Sequence, residues 1–245
     1  MHDKEEISTA VDVSDDSARG CETRMRRDAV PRVRHPEPPR VLACDRTVDV
    51  SLRIASPVIR VLGGLLSEQE CDEMIALAKP RLQRSLVVAN SGRNEVHRAR
   101  TSESVSFDIG ETPLIRLLED RIAALFRVPV NHGESIQILR YLPGQQYEAH
   151  YDWFDPASPG YSDVTARGGQ RVASLVMYLN TPEMGGGTNF PNIGLTVTPI
   201  RGTAVYFSYK TGDEATLHAG MPVFKGEKWI ATKWLRERSF VVPRD

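Results

Sequence analysis

From Glu134 onward the chain is written almost entirely in short apolar runs separated by turn residues. Six of them read as strands: Ser135 to Leu142, Gln145 to Trp153, Arg171 to Asn180, Leu195 to Pro199, Thr203 to Ser208 and Trp229 to Glu237. The preceding stretch has a different period. Ser67-Glu-Gln-Glu70 is a capping box that opens a helix through Ala78, and Pro80 stops it. Between Gly110 and Arg127, Leu114, Leu117, Leu118, Ile122 and Leu125 recur at helical spacing and predict a helix packed on a sheet. Pro57 to Leu66 reads as a strand, and ordered structure is expected to begin near Ser51. Helices first and strands after predict a mainly β protein with flanking helices (α+β). Its architecture would be a double-stranded β-helix, a cupin-like jelly roll of two packed sheets braced by N-terminal helices.

The expected organisation is a tail over residues 1–50 and one domain over 51–245, with helical support at 51–133 and the jelly-roll core at 134–238. Residues 1–18 are acidic and polar, and Arg19 to Arg46 is rich in arginine and interleaved with Pro31, Pro36, Pro38 and Pro39. Such a segment has little apolar surface to bury and reads as a solvated linker. It lacks the apolar stretch of a secretory leader. The whole chain holds 40% hydrophobic and 26% charged residues at a net charge of −1, which speaks against a whole-chain nucleic-acid or membrane role. Three cysteines, Cys21, Cys44 and Cys71, do not make a disulfide framework. A cytoplasmic enzyme is the expectation.

Candidate chemistry sits in the strand-rich half. In His150-Tyr-Asp152, residues i and i+2 of a strand would share one face and present an imidazole beside a carboxylate. His218, in another β-rich stretch, is the best third ligand. Two histidines and one carboxylate with open positions make a mononuclear non-haem iron site of the oxygen-activating kind. An H-x-D triplet alone is more often a structural hydrogen bond, so the weight comes from what accompanies it. In Lys228-Trp-Ile-Ala-Thr-Lys-Trp234, Lys228, Ile230, Thr232 and Trp234 share one face and Trp229, Ala231, Lys233 and Leu235 the other. Both faces are mixed, so the pattern does not say which is inward. An inward Lys228 would require an anion, which a dicarboxylate co-substrate supplies; an outward one is a snorkelling surface lysine.

These residues resemble the catalytic domain of the prolyl 4-hydroxylases, iron(II)/2-oxoglutarate dioxygenases. The likeness runs from about Ser51 to Arg238. It is carried by His150-Tyr-Asp152, by His218-Ala-Gly-Met-Pro-Val-Phe-Lys-Gly-Glu-Lys228-Trp and by Ala-Thr-Lys-Trp-Leu-Arg-Glu-Arg. Arg140-Tyr-Leu-Pro-Gly-Gln-Gln-Tyr-Glu-Ala, Gly168-Gly-Gln-Arg-Val-Ala, Met177-Tyr-Leu-Asn, Gly185-Gly-Gly-Thr-Asn-Phe-Pro and Arg100-Thr-Ser add to it. The resemblance implies that His150, Asp152 and His218 bind Fe(2+) and that Lys228 binds the distal carboxylate of 2-oxoglutarate. Tyr141, Thr188 and Trp234 would lie near the co-substrate, and Tyr147 and Arg171 at the peptide substrate. It further implies O2 and L-ascorbate as co-reactants, a proline-containing peptide or protein as substrate, and 4-hydroxylation with decarboxylation of 2-oxoglutarate to succinate. Retention of Asp152 favours hydroxylation over halogenation. Met221 stands where the animal collagen-modifying enzymes often carry cysteine, and the chain looks more like the short bacterial, algal or viral members, as a monomer or homodimer.

Other readings stay open at this level. Tyr141 and Trp234 are equally ordinary core aromatics, Thr188 a turn residue and Arg171 an ion-pair partner. The occupant is alternatively a free amino acid or a peptide natural product, and a non-catalytic jelly roll that binds 2-oxoglutarate or iron is the reading from another class. Gly185-Gly-Gly lacks the context of a phosphate loop and predicts a tight turn that returns Thr188 to the pocket. Asp155 to Gly169 and Val88 to Thr101 read as loops able to close over a peptide. His2, His35, His97 and His132 lack ligand spacing.

Overall fold

In the computed structural model, residues 38–85, 87–88, 94–95 and 100–240 are described. Residues 1–37, with His2, Cys21 and His35, lie outside them, as do His97 and most of the Val88 to Thr101 segment.

Nine antiparallel strands form the main sheet, in the order Arg40–Ala43, Arg46–Ile54, Val58–Gly63, Ala204–Ser208, Arg171–Tyr178, Lys228–Arg236, Ile136–Tyr141, Glu103–Phe107 and Gln83–Arg84. Leu195–Val197, Thr188–Phe190, His218–Gly220 and Tyr147–His150 form a smaller antiparallel sheet across from it. Two sheets with neighbours drawn from distant parts of the chain make the expected jelly roll.

Past an irregularity at Arg171–Ala173 the central strands alternate, although both their faces are buried. Ala173, Leu175 and Met177, with Trp229, Ala231 and Leu235, join the core under the helices. Val176, Tyr178, Ile230, Leu139 and Tyr141 face the smaller sheet and pack with Phe190, Val197 and Phe207. Each fully buried large side chain of this kind contributes about 1.5–3 kcal/mol. Alternation of this sort settles the orientation that the sequence left open: Lys228 is on the inter-sheet face and Lys233 on the helix face.

The helical layer follows its sequence signals. In α1 (Glu68–Ala78) the Ser67 hydroxyl accepts from Glu70 N at 3.1 Å, while the Glu70 carboxylate accepts from Ser67 N at 2.7 Å. Cys71, Met74 and Ala78 bury the inner face, and Pro80 falls in a 3-10 turn, Lys79–Arg81. In α2 (Pro113–Phe126) Thr112 caps the start, Leu114, Ile115, Leu118 and Ile122 are buried, and Arg127 ends the helix in a left-handed conformation. Buried Glu119 of α2 binds Lys233 Nζ at 2.7 Å, tying helix to sheet. A Cβ on Gly133 would stand 2.3 Å from Lys233 Cε, so the glycine makes room for this lysine.

Two features differ from expectation. Order begins before Ser51, because Arg40–Ala43 and Arg46–Ile54 form an edge hairpin with Ala43 and Val48 buried. Val48, Val50, Leu52 and Ile54 already alternate, but the surrounding arginines disguise them as linker. Within 51–133, Val58–Gly63 is the expected strand, and Glu103–Phe107 adds one that was not expected to the main sheet. In addition, Asp155 to Gly169 contains a short helix, α3 (Tyr161–Ala166). Cys44 is exposed and Cys71 buried, and neither forms a disulfide among the described residues.

Replacing Glu119 by Leu should cost about 3–5 kcal/mol in urea unfolding, because it leaves the Lys233 ammonium buried without its partner. The Glu119→Leu/Lys233→Met double variant should recover most of that loss; a double variant no more stable than the single one would contradict this account of the pair.

Candidate active site

His150 ends one strand of the smaller sheet and His218 begins its neighbour, and the two are direct antiparallel partners. Their side chains and Asp152 offer ligand atoms that all lie within 4.8 Å of one another. His150 Nε2 is 3.7 Å from Asp152 Oδ1, and His218 Nε2 is 3.6 Å from Oδ2. The strand-period argument for Asp152 is corrected here. The strand stops at His150, so Asp152 lies past its end in a bend. What aims its carboxylate is Ser174 of the main sheet, whose hydroxyl donates to Oδ2 at 2.5 Å.

Both imidazoles are oriented from behind. His150 Nδ1 is 2.8 Å from the Glu148 carbonyl and His218 Nδ1 is 3.0 Å from the Thr216 carbonyl. A carbonyl only accepts, so each Nδ1 carries the proton and each Nε2 turns its lone pair to the cluster. Burial, helped by the neighbouring His218, pushes the His150 pKa down to about 3. Burial works the other way on Asp152, yet the neighbouring His218, His150 and Arg171 bring its pKa down to about 2. A neutral His150 and an ionised Asp152 at neutral pH are the states a divalent cation needs.

Lys228 opens the Lys228–Arg236 strand opposite Tyr141 and is 2% exposed. Its Nζ lies 5.4 Å from the Tyr141 ring centre and 5.9 Å from that of Tyr178, and no carboxylate pairs with it among the described residues. Burial alone pulls its pKa down to about 7. Tyr178 donates to the Thr188 hydroxyl at 2.8 Å, which places Thr188 in the same corner. The turn that returns Thr188 is the expected one, with Gly185 at φ 84° and Gly186 at φ 72°. A Cβ on Gly186 would stand 3.0 Å from Lys228 Cδ.

Trp234 is not in that corner. It lies six residues along the same strand from Lys228, roughly 20 Å at strand rise, opposite Ser174, with the Arg171 guanidinium 4.2 Å from its ring centre. Its distance separates it from the Lys228 end of the site alone, since Ser174 opposite it bonds Asp152. Trp234 instead lines a cleft of about 1060 Å³ together with Asp152, Tyr147, Arg100, Arg171 and Glu134. In the cleft Tyr147 stacks on His150 at 3.6 Å between ring centres, and Arg171 is held by Glu134 at 2.6 and 2.8 Å. The sequence reading missed Tyr178 and Ser174. Their signal was position: both occupy inter-sheet sites of the Arg171–Tyr178 strand, where a hydroxyl needs a reason to be.

Residues 136–236 match the model of the 2OG-Fe(II) oxygenase superfamily. The chain is 39% identical over 205 residues to prolyl 4-hydroxylase 1 of Arabidopsis thaliana, covering 75% of this chain and 70% of that one. It is 37% identical over 213 residues to probable prolyl 4-hydroxylase 4 of the same plant, at 76% and 70% coverage. Among solved structures, the viral collagen prolyl hydroxylase of Paramecium bursaria Chlorella virus-1, in complex with 2-oxoglutarate, is 33% identical with a TM-score of 0.57, covering 73% of this chain and 95% of that one. A Pseudomonas putida prolyl-4-hydroxylase shares the fold at 21% identity and TM-score 0.53, covering 73% and 92%. The chain belongs to the prolyl 4-hydroxylase family within the 2OG-Fe(II) oxygenases. It is a 2-oxoglutarate-dependent dioxygenase that uses Fe(2+), 2-oxoglutarate and O2.

The residues present fit those groups. Three side chains able to hold a metal ion converge, and buried Lys228 has no carboxylate partner among the described residues. In the unfolded chain Lys228 holds its proton to about pH 10.5, but in the folded protein only to about 7. Between those values the unfolded state binds more protons, so raising the pH should stabilise the ligand-free fold. Melting temperatures at pH 7 and pH 9 should rise for the wild type relative to Lys228→Met, and the variant should lose 2-oxoglutarate binding without losing ligand-free stability. An identical pH response in both proteins would contradict the assignment.

Proposed function

We propose that the chain hydroxylates proline at C4 within a peptide or protein, coupled to decarboxylation of 2-oxoglutarate to succinate and CO2. The observation that carries this reading is the combination of the His150, Asp152 and His218 cluster with the buried, unpaired Lys228. In this reading the three cluster side chains hold Fe(2+), and Lys228 binds the distal carboxylate of 2-oxoglutarate beside Tyr141 and Thr188. Bound iron and 2-oxoglutarate together supply the oxidising power that inserts one atom of O2 into an unactivated C–H bond.

The remaining tasks belong to the protein. Tyr178 fixes the Thr188 hydroxyl, and the apolar inter-sheet core around Phe190 and Phe207 keeps water from the buried side of the cluster. The cleft on the other side takes the peptide, with Tyr147 and Arg171 at its floor. Arg171 is already committed to Glu134, which makes it a rigid wall more than a mobile clamp. The prolyl hydroxylase names of the relatives support a prolyl substrate, and a Trichoplax adhaerens neighbour with a bound peptide shares the fold at 15% identity and TM-score 0.54. L-ascorbate as the reductant that keeps the iron ferrous, a cytoplasmic location, and a monomer or homodimer complete the proposal.

Purified protein with Fe(2+), ascorbate and 2-oxoglutarate should convert a proline-rich peptide to a product heavier by one oxygen, with one succinate per hydroxyl. His218→Ala should lower both by at least about a thousandfold, in the range expected when an essential catalytic group is lost, while keeping the wild-type circular dichroism spectrum. Binding of 2-oxoglutarate without succinate release on any proline-containing peptide would favour a non-catalytic module, and turnover confined to free amino acids would move the substrate class.

A further inference from the structure

Asp152 is the one member of the cluster that no strand holds, so its direction depends on what touches its carboxylate. Ser174 Oγ is 2.5 Å from Oδ2, and Tyr209 OH is 2.9 Å from the same Oγ. All three side chains are buried. The chemistry fixes the direction of both bonds. An ionised carboxylate only accepts, so Ser174 gives Asp152 its single proton, and the proton between Ser174 and Tyr209 must come from the phenol. Ser174 shares the inter-sheet face with Val176 and Tyr178, where a hydroxyl without partners would cost about 1–3 kcal/mol. Its backbone is fixed on both sides, opposite Phe207 and Trp234. Tyr209 directly follows the Ala204–Ser208 strand, and its N–H donates to the Val172 carbonyl at 3.0 Å.

We propose that Tyr209 and Ser174 are positioning residues, a two-step hydrogen-bond relay through which the rigid main sheet aims the Asp152 carboxylate at the metal. The proposal rests on reading His150, Asp152 and His218 as the metal centre. The smaller sheet sets the two imidazoles by strand register, and the larger sheet sets the carboxylate through this relay. Ser174 acts directly on the ligand, and Tyr209 acts only by fixing the rotor of the Ser174 hydroxyl.

The test is Mn(II) affinity of the metal-free full chain, read by the paramagnetic resonance of free Mn(II), with melting temperatures measured alongside. Ser174→Ala should weaken binding about 10–100-fold, the usual effect of losing a partner behind a metal ligand. Ser174→Thr, which keeps the hydroxyl, should restore most of it. Tyr209→Phe should weaken binding by a smaller factor, and that factor should vanish in the Ser174→Ala background, because the relay is already cut. Wild-type affinity in Ser174→Ala, or an equal Tyr209→Phe effect in both backgrounds, would overturn the relay. Should Ser174→Ala fail to fold, Tyr209→Phe decides alone: weaker Mn(II) binding at an unchanged melting temperature supports the relay, and unaltered binding overturns it. Equal Mn(II) binding by wild type and His218→Ala would remove the metal-centre reading itself, and the relay with it.

Discussion

The pairing of His150 with His218 across two short antiparallel strands is the constraint on which the site depends. Directly opposite residues on one face are held about 4.5–5.5 Å apart at Cβ, which brings two imidazoles to one point without a long loop. A slip of one residue in either strand would turn one ring to the outer face. That register is in turn fixed by Thr188–Phe190 on the far side of His218–Gly220, and Phe190 plugs the fully buried inter-sheet core. The candidate metal cluster is thus a by-product of how two sheets close on each other, with only Asp152 requiring separate support.

Charge burial divides the molecule into settled and unsettled parts. Arg121 is bracketed by Asp45 and Glu70, Lys233 by Glu119, and Arg171 by Glu134, so these buried cations are satisfied by the fold itself. Lys228 is different. It lies as deep as Lys233, on the same strand and five residues away, yet among the described residues no carboxylate pairs with it, and the Tyr141 and Tyr178 rings flank its ammonium. A deep ammonium that no carboxylate pairs among the described residues is placed to be completed by an anionic ligand, and the cluster of His150, Asp152 and His218 lies in the same inter-sheet space.

Much of this was legible in the sequence, and the failures have physical causes. The capping box at Ser67, the apolar spacing of α2 and the strand-rich second half gave the layers, because burial periodicity is local. The direction of Lys228 was not legible, since both faces of its strand are buried and periodicity alone cannot rank two buried faces. Trp234 shares that face with Lys228 but lies six residues along the strand, so the pattern could not say that it lines the cleft beside Asp152. Asp152 was assigned by strand period when a turn and the Ser174 hydroxyl place it. The early hairpin escaped notice because arginine-rich composition outweighed a clean alternation of four apolar residues. Family resemblance supplied Tyr141 and Thr188, while Tyr178, Ser174 and Tyr209 are contacts that only three dimensions reveal.

The most direct measurement is a crystal structure of the protein grown with Mn(II) and 2-oxoglutarate under anaerobic conditions, with anomalous scattering to locate the metal. The account predicts a single inner peak bounded by His150 Nε2, the Asp152 carboxylate and His218 Nε2, with the far carboxylate of 2-oxoglutarate in contact with Lys228 Nζ. A metal bound elsewhere, or a 2-oxoglutarate molecule whose distal carboxylate avoids Lys228, would contradict it.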